Sequence, residues 1–452
     1  MLNQEPTSLR LEDPGIREIF SEESTYQAWL DVEAALAIAQ SELGIIPKSA
    51  AEEINKKAQL SNLDMSAIHE GLIKTSHRLV PLIWELDKVC ANDSGGFIHW
   101  GATTQNITQT GQSILLKKCH NIFLNQLALL LDNLSNLANS TKDYYMPGRT
   151  HGQHAVPTTF GLKVSVWIDE ICRHIERLKG CEQRVFVVML GGAAGTLASL
   201  GEKGINTQDR MAEILDMTSM SMPSRSIGDH SAEYVTILGM LSSTCGKIGR
   251  EIYTLMKQEF GELEEAVSKG TVGSSTMPQK RNPRLSQDIV GGAAQVRSLV
   301  PLALEAMQTE HEADRTNFMM MKSALTDACI LTGDILQRMI SLFADLSVFP
   351  ERMKANLDLS GGLIMSELVM LELGKIIGRQ RAHDLVYEAA QNSVIDSESF
   401  LKKLSEDKEI TANVTQEQLE KLLDPTEYVG MAKYYTDLNI KKAPEIIKSI
   451  KK

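Results

Sequence analysis

The residues best equipped for chemistry lie in one string, Gly273-Ser274-Ser275-Thr276-Met277-Pro278-Gln279-Lys280-Arg281-Asn282-Pro283. Two prolines, with Gly270 and Gly273 ahead of them, keep this stretch out of a helix interior. A loop rich in backbone amides that also carries a hydroxyl, an ammonium and a carboxamide suits two tasks. It can hold a carboxylate, and it can stabilise a developing oxyanion. A Gly-Ser-Ser loop in isolation is commonly just a turn between helices; here two more polar islands accompany it. One is His99-Trp100-Gly101-Ala102-Thr103-Thr104-Gln105-Asn106, the other Gly148-Arg149-Thr150-His151-Gly152-Gln153-His154-Ala155-Val156-Pro157-Thr158-Thr159. Each falls at the end of a predicted long helix, where free amides and unpaired side chains collect around a ligand. His151 stands apart from His120 and His174, which lie in helical stretches and read as packing residues.

The elements that must position these islands read as helices. Tyr26 to Gln40 shows apolar residues at helical spacing and stops near Gly44 and Pro47. A second helix is expected after Ser49 and a third from about Met65 to Asp87. The loop Asn92-Asp93-Ser94-Gly95-Gly96 marks a first boundary. Long apolar-periodic stretches then run over Ile107 to Leu137, Phe160 to Val188, Ala232 to Val267, Leu285 to Met307 and Thr316 to Val348. Helices of that length with wide apolar faces belong in a bundle, and bundles of this kind commonly oligomerise symmetrically. Pro350 and Gly361-Gly362 mark a second boundary before a shorter-helixed, more charged segment ending in a lysine-rich tail, Lys448 to Lys452. The expected division is therefore 1–105, 106–355 and 356–452.

With 452 residues, 43% of them hydrophobic and only 5% aromatic, the chain can bury a large core and favours helix over sheet. A net charge of −12 argues against non-specific binding to nucleic acid or an anionic membrane, so an anionic substrate needs a locally basic pocket. Six scattered cysteines without Cys-x-x-Cys spacing suggest neither a zinc site nor a disulfide framework. No apolar run reaches membrane-spanning length, and a cytoplasmic protein is expected. Gly191-Gly192-Ala193-Ala194-Gly195-Thr196 lacks the Lys-Ser/Thr of a P-loop and sits in a region expected to be helical.

The string from Gly273 to Pro283 resembles the signature of the fumarase/aspartase superfamily, in the adenylosuccinate lyase and 3-carboxy-cis,cis-muconate cycloisomerase branch. The other two islands occur in the superfamily's order. The tail from Ser360 to Glu367, through Gly378 to Glu388 and Leu423 to Tyr428, resembles an adenylosuccinate lyase C-terminal domain. The resemblance implies an all-α, three-domain protein whose five-helix central bundles form a twenty-helix homotetramer. Each active site would take its three islands from three subunits.

The implied reaction is β-elimination of fumarate from an N-substituted aspartate, with no metal or organic cofactor. By resemblance Ser274 is the base and His151 the general acid, whose ordinary pKa suits proton donation near neutral pH. Lys280 and Asn282 hold the carboxylate. His77 is a second histidine at the substrate, and Glu265 orients the acid histidine. Thr103, Thr104, Gln105 and Gln153 bind the other carboxylate or its polar neighbours, and Ser275, Met277 and Arg10 belong to the same substrate-binding set. Several positions depart from the nucleotide-specific pattern. Asn106 replaces an aspartate, removing a charge and an acceptor; Leu11 follows Arg10 in place of tyrosine; His230 lies in a string usually rich in arginine; Ala313 stands for an arginine. A carboxymuconate cycloisomerase-like enzyme is the alternative reading, and a non-catalytic homologue a further one.

Overall fold

The computed structural model describes residues 2–267 and 270–450; Lys451 and Lys452 of the lysine-rich tail lie outside the described residues. Helix α1 (Glu22–Glu42) opens on Ser21, whose hydroxyl accepts from the Ser24 amide. The predicted helix from Met65 to Asp87 is two helices, α2 (Met65–Thr75) and α3 (Val80–Val89). Between them Ser76 takes a left-handed φ of 53°, and Pro81, at the start of α3, has no N–H to extend the first helix. His77 sits in this break, which frees its ring from a helix face.

The longest helix, α4 (Thr104–Ser140), follows the first island. Its one glycine, Gly111, is required by packing, because a Cβ there would lie 2.6 Å from the Trp29 ring of α1. Strands β1 (Tyr145–Thr150) and β2 (Gln153–Thr159) form an antiparallel hairpin, and α5 (Phe160–Val185) follows. The short strands β3 (Val187–Val188) and β4 (Thr218–Ser219) pair in parallel before α6 (Asp229–Leu255). Gly191 to Thr196 lies in a loop after β3, not in a helix.

The predicted helix over Ala232 to Val267 ends at Leu255. Beyond it Gly261 turns at a φ of 60°, and β5 (Leu263–Glu264) pairs antiparallel with β6 (Ser347–Val348). Apolar residues at 263 and 267 therefore continue the helical pattern without a helix. Helices α7 (Arg284–Glu305) and α8 (Arg315–Ala344) complete the long set. Shorter helices from Pro350 to Ile450 close around Val369, Leu373, Leu385, Phe400 and Leu404. Among the described residues the fold is thus helical apart from these six short strands.

Two compact units emerge. The first comprises Met1–Gln126, His174–Gly246 and Gly291–Gln337; the second comprises Leu127–Arg173, Lys247–Val290 and Arg338–Lys452. In the first, Trp29, Leu30, Leu36, Ile54, Ile68 and Leu82 form a continuous apolar core. All six cysteines are free thiols, five of them buried and Cys90 half-buried.

Candidate active site

In the second unit the serine loop is closed upon itself. The Ser274 hydroxyl oxygen accepts from the backbone amides of Met277 (3.0 Å) and Thr276 (3.3 Å). Two amide dipoles aimed at one oxygen stabilise negative charge there and so lower the cost of forming an alkoxide. Asn282 Nδ2 donates to the Gly273 carbonyl at 2.8 Å, and Arg284 donates to the Val272 carbonyl at 2.9 Å. Gly273 admits no side chain, since a Cβ would lie 2.1 Å from the Lys280 carbonyl oxygen. Ser274 and Asn282 are half-buried; Ser275, Met277 and Lys280 are exposed.

Glu265 anchors the far end of this loop. Its buried carboxylate accepts from the Leu285 amide (3.0 Å), the Ser286 amide (2.8 Å) and the Ser286 hydroxyl (2.6 Å). A carboxylate at the start of α7 meets free amides and the positive end of the helix dipole. Burial nonetheless pushes its pKa above the ordinary carboxylate value, against the pull of the Ser286 and Leu285 bonds. Glu265 thus holds the start of the helix that follows the loop.

His151 occupies the tip of the β1–β2 hairpin. Thr150 pairs with Gln153, leaving His151 and Gly152 as the two turn residues, with φ of 51° and 78°. Positive φ at both central positions matches the twist of the strands, which is why two-residue hairpins adopt it. The ring is exposed, as is Gln153, and no hydrogen bond joins His151 to Ser274. The turn was hidden in the sequence because His-Gly is not among the strong signals for a two-residue hairpin, which are Asn-Gly and Asp-Gly.

Arg149 of the same island is structural. It donates to both oxygens of the fully buried Glu262, at 2.6 and 3.1 Å, and lies 4.9 Å over the Phe260 ring. Asn356 Nδ2 donates to the same carboxylate at 2.7 Å. His154, one residue into β2, is pushed below the ordinary imidazole value by burial and then by the Arg149 cation, with Glu262 opposing. Glu262→Ala is expected to cost about 3–5 kcal/mol of stability, because it strands a partly buried guanidinium. Urea unfolding checks this, and a loss below about 1 kcal/mol would show that water satisfies Arg149 instead.

In the first unit, His77 Nδ1 accepts from the Val80 amide at 3.2 Å. The proton of the neutral ring therefore sits on Nε2, which faces the Thr104 hydroxyl at 3.3 Å. Asn106 is buried; its Oδ1 accepts from the Thr103 amide at 3.0 Å and its Nδ2 donates to Met189 Sδ at 3.0 Å. The acceptor expected to be lost with the aspartate is thus retained, and only the charge is missing. Gln105 is locked by Arg225, whose Nε donates to Gln105 Oε1 at 2.9 Å while Gln105 Nε2 donates to the Arg225 carbonyl at 3.2 Å. His77 and Thr104 line a cavity of about 710 Å³. Arg10 is exposed at the end of a short 3-10 turn and is not part of that lining.

Glu33 of α1 holds the first island. Almost fully buried, it accepts from the His99 amide (3.1 Å) and from His99 Nδ1 (2.7 Å). Burial pulls the His99 pKa down, but the bond and charge of Glu33 outweigh it, and the net shift is upward. A raised folded-state pKa contributes stability below the ordinary imidazole range, and that stability is lost as pH rises through the raised value. Glu33→Gln leaves burial dominant, so His99 should titrate below the ordinary value and its contribution to stability should instead be lost as pH falls. Imidazole NMR titration reads this directly; an unmoved His99 would refute the pairing. The clue in sequence was a lone glutamate amid Ala-Trp-Leu-Asp-Val-Glu-Ala-Ala-Leu. Arg225 and Glu262 gave no such clue.

The long helices thus carry a serine loop with two amides on its hydroxyl and a histidine-tipped hairpin. Residues 9–298 match the family model described as lyase, and residues 362–437 that described as adenylosuccinate lyase C-terminus. The chain belongs to this lyase family, within the fumarase/aspartase superfamily. It is 39% identical over 450 residues to the adenylosuccinate lyase of Methanocaldococcus jannaschii, covering 99% of this chain and 96% of that one. It is equally 39% identical over 416 residues to the N-acetyl-S-(2-succino)cysteine lyase of Enterococcus italicus, covering 92% and 91%. The crystal structure of 3-carboxy-cis,cis-muconate lactonizing enzyme from Pseudomonas putida superposes with a TM-score of 0.89 at 32% identity, covering 98% of this chain and 99% of that one. Among the described residues no helix is long and apolar enough to cross a membrane.

Proposed function

We propose that this lyase releases fumarate by β-elimination from an N-substituted aspartate, with Ser274 as the base. The observation that carries the reading is the pair of amides on the Ser274 oxygen, at 3.0 and 3.3 Å. Abstracting a proton beside a carboxylate needs a strong base and a cationic, hydrogen-bonding site for the dianion that results. Lys280 supplies the cation and Asn282 the directed bond, with Ser275 and Met277 flanking them. Asn282 can do so while keeping Gly273, because its amide carries two protons. His151 donates the proton to the departing nitrogen, while His77 with Thr104, and Thr103, Gln105 and Gln153, receive the remaining polar groups of the substrate. Arg10 is assigned to the substrate's periphery.

The division into segments 1–105, 106–355 and 356–452, with a homotetramer assembling each site from three subunits in the cytoplasm, belongs to the same proposal. Its support is the exposure of both His151 and Lys280, which leaves them open to a neighbouring copy. Purified protein given adenylosuccinate should yield fumarate and AMP; a panel of other N-substituted aspartates extends the assay. If folded protein releases fumarate from none of them, the reaction is wrong. The cycloisomerase reading is the second possibility, favoured by the likeness to the P. putida structure. It is distinguished by turnover of carboxymuconate without fumarate.

A further inference from the structure

Two stretches that the proposed reaction leaves unused, Gly191 to Thr196 after β3 and Pro223 to Ile227 after β4, close on the first polar island. They touch each other at Gly191, where a Cβ would lie 1.9 Å from the Pro223 carbonyl oxygen, so only glycine fits. The Ser199 hydroxyl then donates to the Gly101 carbonyl at 2.9 Å. Arg225 joins all three segments: its Nη1 donates to the Ala193 carbonyl at 2.8 Å and its Nε to Gln105 Oε1 at 2.9 Å. Both acceptors are neutral. No ion pair engages Arg225 among the described residues, and burial pulls its pKa below the ordinary guanidinium value. A half-buried cation without a carboxylate is costly. What it secures is the orientation of one amide.

The oxygen and nitrogen ends of a glutamine amide have nearly the same shape, so only their partners fix which points where. Arg225 offers a donor and an acceptor side by side. Its Nε–H meets Gln105 Oε1, and its backbone carbonyl receives Gln105 Nε2 at 3.2 Å. Turning the amide over would set donor against donor and oxygen against oxygen. The other Nε2 proton goes to Gln109 Oε1 at 3.2 Å, one helical turn along α4. Both amide protons are thus committed, and what Gln105 retains is a lone pair on Oε1. We infer that Arg225 is a positioning residue that locks Gln105 as an acceptor, so the substrate group Gln105 meets is a hydrogen-bond donor, the N–H of an N-substituted aspartate, and not a carboxylate. A carboxylate brought to that oxygen would set acceptor against acceptor. The inference rests on the proposed reaction for the substrate's N–H; the lock stands on these hydrogen bonds alone.

The test uses the full-length protein and the N-substituted aspartate that it turns over fastest. Arg225→Met should raise the KM about tenfold, the worth of one hydrogen bond, and leave kcat within about twofold. Gln105→Ala should do the same, and the double variant should match Gln105→Ala alone within about twofold, since Arg225 acts through Gln105. Arg225→Lys keeps the charge without the Nε–H and should behave as Arg225→Met. For the thioether analogue, with sulfur in place of N–H, the KM or inhibition constant should move by less than about twofold in either single variant. Additive losses, full rescue by lysine, or an equal loss for the thioether would overturn the inference. Hydrogen exchange without substrate reads the lock separately: residues 101–106 and 191–200 should exchange at least about fivefold faster in Arg225→Met. Unchanged exchange overturns the lock. Faster exchange in a protein that releases fumarate from no N-substituted aspartate removes the proposed reaction and the substrate's N–H, and leaves the lock standing.

Discussion

Ser274→Ala should lower the rate of fumarate release by about 10³–10⁴-fold, the upper range for a positioned proton-transfer group. The size follows from what the hydroxyl does in the loop. Its oxygen accepts from Met277 and Thr276, so alanine removes the base and these two bonds while the rest of the loop's bonds remain. Asn282 still holds the Gly273 carbonyl, Arg284 still holds Val272, and Glu265 still holds the start of α7. Stability should fall by about 1 kcal/mol, the usual loss when a side-chain oxygen that caps backbone amides is removed. Single-turnover kinetics beside a thermal melt check both parts together. An alanine variant with near-normal turnover would remove Ser274 from the mechanism, and a variant that is inactive because it is unfolded would remove the structural argument.

His151→Asn is the second large effect, expected at about 10²–10³-fold on kcat. Asparagine is chosen because it tolerates the left-handed backbone that His151 adopts at a φ of 51°, so the hairpin keeps its two-residue turn. The ring is exposed and makes no structural bond among the described residues, so the melting temperature should hold. The diagnostic is the pH profile of kcat. Loss of a general acid removes the limb that falls as the acid is deprotonated, whereas loss of a binding contact raises KM and leaves both limbs in place. A variant of the second kind would move His151 from proton donor to substrate contact.

These two residues also show how much of the site could be read without coordinates. The loop bearing Ser274, Lys280 and Asn282 was legible because glycines and prolines crowd into one short polar string, and because that string is long and ordered. His151 was legible as the centre of a polar island, but the strands around it were not. Their pairing depends on a two-residue turn, His151-Gly152, that lacks the Asn-Gly or Asp-Gly signal of such hairpins. Asn106 reads as the loss of an acceptor until its Oδ1 is seen to hold the Thr103 amide. Arg149 sits beside His151 and suggests ligand binding, yet its guanidinium serves a carboxylate 113 positions away.

What the sequence by itself determined is local and periodic. Apolar residues recurring every three to four positions made α4, α5, α7 and α8 helices, and the breakers set the serine loop between them, because both effects act between neighbours in the chain. Tertiary structure alone decided the partners: Glu262 for Arg149, Arg225 for Gln105 and Glu33 for His99. It also decided that the helical pattern beyond Leu255 ends in a short strand with β6. The reason is that a side chain's charge and hydrogen-bonding capacity are written in its type. The group that satisfies them is chosen by which distant segments the core brings within about 3 Å.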